Sequence, residues 1–100
     1  MLEMESESGK GKPKFTWRES FECDVLVAIQ DAEIAAAKGD GHVHDLLKGA
    51  LAANGNLRAK LRHQPKKGYA RRMVLSGVFP RHRNIILDFI DEVTGETRYH

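Results

Sequence analysis

Cysteine is all but missing from this chain. Cys23 stands alone, so no intramolecular disulfide can form and no second cysteine is at hand for a zinc site. A lone thiol fits a reducing compartment, and the chain is read as cytoplasmic. No apolar run reaches the length needed to cross a bilayer, so no membrane partner is expected. The opening MLEMESESGKGKPK lacks the apolar h-region of a secretory signal. It also lacks anything to bury, and residues 1–14 are read as a disordered lead. Gly9-Lys10-Gly11-Lys12 is not a phosphate loop, which needs Gly, four residues, then Gly-Lys-Ser/Thr between a strand and a helix. A flexible basic tail able to add weak phosphate contacts is the reading instead.

The most informative absence is of acid. Between Leu57 and Arg83 there is no Asp or Glu, while Arg58, Lys60, Arg62, Lys66, Lys67, Arg71, Arg72, Arg81 and Arg83 all lie there. The formal net charge is only +2, too small to imply nucleic-acid binding, but the charge is segregated. From Glu19 to Asp45 there are seven acidic residues and one lysine, Lys38. A dipolar surface follows if the two blocks stay apart in the fold. One hundred residues suffice for one core and leave no room for a second. No internal repeat or long linker divides residues 15–100, which are expected to form one domain.

Folding signals begin at Phe15, Trp17 and Phe21. Two periods compete from Phe21. Phe21, Cys23, Val25, Val27 and Ile29 alternate as in a strand, whereas Phe21, Val25, Ile29 and Ala32 follow helical spacing. The run Ile34-Ala35-Ala36-Ala37 and the stop at Gly39 favour a helix over 20–38, with Ser20 as its cap. The alternative is a strand at 21–28 and a shorter helix. Val43, Leu46, Leu47, Ala50 and Leu51 give a second helix over 42–54, with Asp40 as a candidate N-cap and Gly55 as a candidate left-handed stop.

Then the period changes to two. Leu57, Ala59 and Leu61 alternate with Arg58, Lys60 and Arg62, which predicts a strand with a basic face. Gln64-Pro65-Lys66-Lys67-Gly68 is a turn. Tyr69–Phe79 reads as a second strand ended by Pro80, and 84–93 as a third, well-buried one. Thr94-Gly95-Glu96 is a turn, and residues 97–100 are too short to assign. The expected fold is therefore α+β, with two N-terminal helices packed on a small three-stranded antiparallel sheet.

On such a sheet Arg58, Lys60 and Arg62 share a face, Arg71 or Arg72 joins them, and Lys66, Lys67, Arg81 and Arg83 occupy the turns. Closely spaced cations release condensed counterions when they meet phosphates, and Tyr69 or Phe79 can stack on a base. The expected function is a small non-enzymatic nucleic-acid-binding protein, DNA or RNA being left open, with another polyanion as partner otherwise. Ordinary solubilising charge, or pairing with the acidic helix, is the bland alternative.

Other chemistry is thin. His42, His44 and Asp45 could supply three metal ligands, but residues two apart on a helix diverge and no fourth ligand suggests itself, so no metal is expected. Cys23 lacks a catalytic neighbourhood and is read as a buried or half-buried structural residue. Asp91-Glu92 and Glu22-x-Asp24 form no acid/base dyad. No cofactor or catalytic residue is assigned. Ile86 and Ile90 lie on the second face of the last strand, which needs a cover. Phe15 and Trp17, or a second subunit, can supply it, so a homodimer or a protein-interaction, inhibitor or adaptor module is the second reading.

Two resemblances are carried by particular residues. Tyr69, Arg71, Arg72, Arg81 and His82, after two helices, resemble in residue type the small ribonuclease toxins of toxin–antitoxin systems. Those enzymes hold and cut mRNA on a basic sheet, which implies a third reading. Gly77, Asn84 and Leu87 resemble the Gly…Asn-x-x-Leu passage of Sm-like RNA-binding folds, with a shorter intervening loop.

Overall fold

The computed structural model describes residues 15–95. Five α-helices occupy them: α1 (Trp17–Ala37), α2 (Val43–Ala53), α3 (Gly55–Arg62), α4 (Tyr69–Leu75) and α5 (Arg83–Thr94), with a 3-10 turn at Pro80–His82 leading into α5. Among the described residues there is no strand, so the α+β expectation and its three-stranded sheet are corrected to an all-helical fold. The lead at 1–14 and the segment 97–100 lie outside the described residues, as does part of the turn expected at 94–96.

α1 starts one turn before its expected position. Thr16, not Ser20, is the cap: its hydroxyl accepts from the Glu19 N–H at 3.0 Å, and the Glu19 carboxylate accepts from the Thr16 N–H at 2.9 Å. This reciprocal pair satisfies two N–H groups that a helix start otherwise leaves open. Phe21, Val25, Ala28 and Ala32 bury one face of α1, which excludes the strand at 21–28. Its opposite face is apolar too. Leu26, Val27 and Ile34 are about half exposed, and Cys23 lies there, exposed rather than buried as expected.

A short connection folds α2 back along α1, and Leu47 and Leu51 close the space between them. Asp40 does not cap α2; His42 precedes it without a side-chain bond. Asn54 ends α2 and starts α3, its Oδ1 accepting from the Leu57 N–H at 2.8 Å. Gly55 is therefore the first residue of α3 and not a left-handed stop.

The three expected strands fail for one reason. Leu57 and Leu61 stand two strand periods apart, but also one helical turn apart, and both are fully buried from α3. Ala70, Met73 and Val74 do the same from α4, and Ile86, Leu87, Phe89 and Ile90 from α5. α5 packs against α2, α3 and α4 at once, so apolar residues on more than one side of it were a sign of a central helix. Ile86 and Ile90 are fully buried, so the face assigned to a homodimer is filled from within the chain. Trp17 is partly buried and stacks on Phe21, ring centroids 5.1 Å apart, whereas Phe15 is exposed. None of the helices among the described residues is long and apolar enough to cross a membrane.

Candidate nucleic-acid interface

Without a sheet, the ten expected binding residues have no common face, and the fold sorts them into two groups. The first is engaged by acid. Lys60 Nζ sits 2.8 Å from an Asp24 carboxylate oxygen of α1. Arg71 grips Asp91 of α5 with two guanidinium nitrogens, Nε at 3.1 Å, in a largely buried pair. Arg81 reaches back to Glu33 of α1 at 2.9 Å. Lys60 and Arg71, paired and partly desolvated, have spent on their partners the attraction a phosphate would need, whereas the Arg81 pair is largely exposed and binds its cation only weakly.

The second group is exposed. Arg58 and Arg62 lie one turn apart on α3 and share its outward side. Arg58 also donates to the Ala52 carbonyl at 2.7 Å, which anchors the last turn of α2. Lys66 and Lys67 project from the turn between α3 and α4, Arg72 from α4, and Arg83 from the start of α5. Arg62 and Lys67 line one cleft with Gln64, Leu61, Val93 and Thr94. Lys66 lines the next with Trp17, Arg18, Pro65 and Tyr69. The exposed charge is thus densest along Arg62–Tyr69.

That turn is held firmly. Gln64 accepts from the Ala70 N–H at 3.2 Å and donates to the Leu61 carbonyl at 3.3 Å, so one side chain ties the end of α3 to the start of α4. Gly68 adopts φ +77°, a left-handed conformation that side-chain-bearing residues disfavour. Tyr69 leans on Trp17, centroids 5.5 Å apart, and its partly buried ring offers an edge and a hydroxyl more than a free stacking platform. Arg18, beside Lys66, donates to Glu22 at 2.9 Å. That hydrogen bond, and then the carboxylate charge, push the Arg18 guanidinium above its ordinary high value.

Gln64 and Arg18 are the contributors that charge counting passed over. Gln64 carries no charge, and Arg18 lies far off in sequence, so neither leaves a local signal. Phe79 is buried and cannot stack on a base. His42 and His44 do not converge on a metal set; among the described residues no three His, Cys, Asp or Glu side chains do.

The residues behind the ribonuclease resemblance separate in the same way. Tyr69, Arg71 and Arg72 belong to α4, Arg81 and His82 to the 3-10 turn, with Arg71 and Arg81 bound to carboxylates. The sheet on which the resemblance depends is missing among the described residues. Gly77 falls in the turn after α4, and Asn84 and Leu87 in α5, so they share no strand. No protein-family model matches the chain, and comparison with curated proteins and with solved structures yields no match.

Proposed function

We propose that the chain is a small nucleic-acid-binding protein that grips the phosphate backbone with the α3–α4 turn, and that it acts in the cytoplasm. One observation carries the reading: Arg62, Lys66 and Lys67 are exposed around a turn that Gln64 holds in one shape, so binding orders few groups. Arg58, one helical turn before Arg62, extends the same surface. Lys60 and Arg71 serve the fold instead. The contact is to phosphate and is independent of base sequence.

A salt-series titration with single- and double-stranded DNA and RNA tests this. Three phosphate contacts predict an affinity that falls roughly 40-fold between about 50 and 200 mM salt. Lys66→Glu with Lys67→Glu abolishes most binding at low salt and leaves the helical content unchanged. Salt-insensitive binding, or none at low salt, removes the proposal.

The outward face of α1 favours a second reading, self-association. Cys23, Val27, Gln30, Ile34 and Ala37 recur at alternating spacings of four and three and are all exposed, the pattern of a helix-pairing seam. The seam positions carry no charge, and the flanking Glu22, Asp24 and Glu33 are paired within the chain, which leaves exposed Asp31 as the flanking acid that a second copy of α1 must accommodate. With diamide added as the oxidant that takes up the two electrons, native Cys23 forms a disulfide dimer in a parallel pair, and Ala37→Cys crosslinks to Cys23 in an antiparallel one. A monomer by light scattering at high concentration, with neither crosslink, ends this reading.

A further inference from the structure

One cleft beside the cationic turn is walled by rings. Thr16, Trp17 and Arg18 line it from the start of α1, and Pro65, Lys66 and Tyr69 line it from the α3–α4 turn and the start of α4. Its volume is about 370 Å³, above the roughly 300 Å³ at which pockets begin to hold drug-sized ligands. Trp17, Tyr69 and Pro65 give it apolar surface, and its charged residues, Arg18 and Lys66, are both cations and both exposed. Among the described residues no acid lines it. Glu19 and Glu22 stand on the same helix, but Glu19 holds the Thr16 N–H and Glu22 holds Arg18, each at 2.9 Å. The Arg18 pair is exposed, so water screens it and Arg18 keeps most of its attraction for another anion.

The walls are set before any ligand arrives. Trp17 lies flat on Phe21, rings 10° from parallel, and Tyr69 meets Trp17 at 57°. Gln64 and the fixed ring of Pro65 stiffen the turn. Tyr69, leaning on Trp17, offers its edge, and a ring edge carries the positive part of the aromatic quadrupole. Its complement is the face of a flat π system. The cleft thus asks for two things at once: a flat aromatic group for its rings, and negative charge beside that group for Arg18 and Lys66. A nucleotide with an unpaired base has both. Lys66 and Lys67 are neighbours in the chain, yet Lys67 lines the other cleft with Arg62. A phosphate backbone gripped at this turn therefore has the ring-lined cleft alongside it.

We propose that this cleft takes one unpaired base of a single strand whose phosphates lie on Arg18, Lys66 and Lys67. This rests on the nucleic-acid reading of the α3–α4 turn and adds the substrate class: single-stranded DNA or RNA is preferred to duplex. In a duplex the bases are stacked and paired inside, and bringing one out is costly, so a duplex offers this surface its phosphates alone. Every base has a π face, so the preference is for strand state and not for sequence.

Trp17 is the one tryptophan of the chain, so its fluorescence reports on this cleft. The full chain is titrated at low salt with end-labelled oligothymidylate, oligouridylate, an abasic oligodeoxynucleotide of the same length, a duplex and polyglutamate. Label anisotropy measures binding, and Trp17 emission measures contact. An intact single strand is expected to quench Trp17 saturably, and the stronger of the two names the nucleic acid. The abasic strand and the duplex are expected to bind without quenching, the abasic strand about tenfold more weakly than the intact one, the size of one base contact. Tyr69→Leu and Pro65→Ser are each expected to remove most of that difference and to leave duplex affinity unchanged; Pro65 is exposed, so its variant keeps the core. An abasic strand that binds and quenches like the intact one overturns the proposal and leaves the phosphate grip standing. So does a duplex that quenches as strongly as a single strand, or a tenfold difference that both variants retain. Quenching by polyglutamate as strong as by a single strand assigns the cleft to an acidic protein and overturns the proposal too. Binding of no nucleic acid at low salt removes the phosphate grip itself, and the base site with it.

Discussion

The indole N–H of Trp17 donates to the Lys60 carbonyl, 3.3 Å away and 43 residues along the chain. It ties the first turn of α1 to the last turn of α3, beside the cationic turn. Its ring also stacks on Phe21 and meets Tyr69 at a tilt. Trp17→Phe keeps the stacking and removes the bond, at an expected cost of about 1 kcal/mol. Trp17→Ala removes both and costs roughly 3 kcal/mol or more. Urea denaturation followed by circular dichroism separates the two.

Asn54 is the only residue between α2 and α3, and its side chain holds the Leu57 N–H. Asn54→Ala should cost about 1 kcal/mol, and Asn54→Asp should cost little, because aspartate caps equally well. A midpoint shift in urea for the alanine variant alone is the expected result.

Gln64 joins α3 to α4 without carrying charge. Gln64→Ala should speed amide exchange at Ala70 and weaken nucleic-acid binding several-fold, through lost pre-organisation. The salt slope should not change, since no cation is removed. A changed slope would mean that Gln64 acts in some other way.

Arg71 and Asp91 form the most enclosed ion pair among the described residues. Removing Asp91 leaves the Arg71 guanidinium a largely buried charge, and the Asp91→Ala variant should be destabilised by about 3 kcal/mol. Replacing both with apolar residues of similar volume should recover most of that loss. A double-mutant cycle in urea measures the coupling.

Ile86 and Ile90 are buried inside the chain. Ile86→Ala or Ile90→Ala should therefore cost about 2–5 kcal/mol and leave the oligomeric state unchanged in sedimentation velocity.

The helices α1 and α2 were legible because their apolar periods run for several turns and a glycine follows α1. The remaining three were not. Leu57-Ala59-Leu61 satisfies both periods, and the choice between them lay with Asn54, which reads equally as an end or a beginning. α4 starts at Gly68 and α5 at His82, neither of which caps with its side chain, so the usual start signals were missing. In α5, Ile85, Leu87 and Phe89 alternate while Ile86 and Ile90 repeat at four. Only the surroundings decide between these, since α5 touches three other helices. The charge block was legible as a block, but the loss of Lys60, Arg71 and Arg81 to carboxylates on α1 and α5 is a property of the folded chain alone.

Those carboxylates make α1 an internal stand-in for phosphate. Asp24 occupies Lys60 in a partly buried pair, and Glu33 meets Arg81 at the surface, so folding withdraws at least one cation that the unfolded chain offers freely. Polyanions therefore compete with the fold as well as bind it. A ligand that favours the unfolded chain lowers the melting temperature, and one that favours the native turn raises it. The sign of the thermal shift that an oligonucleotide produces thus separates recognition of a shaped surface from attraction to charge alone.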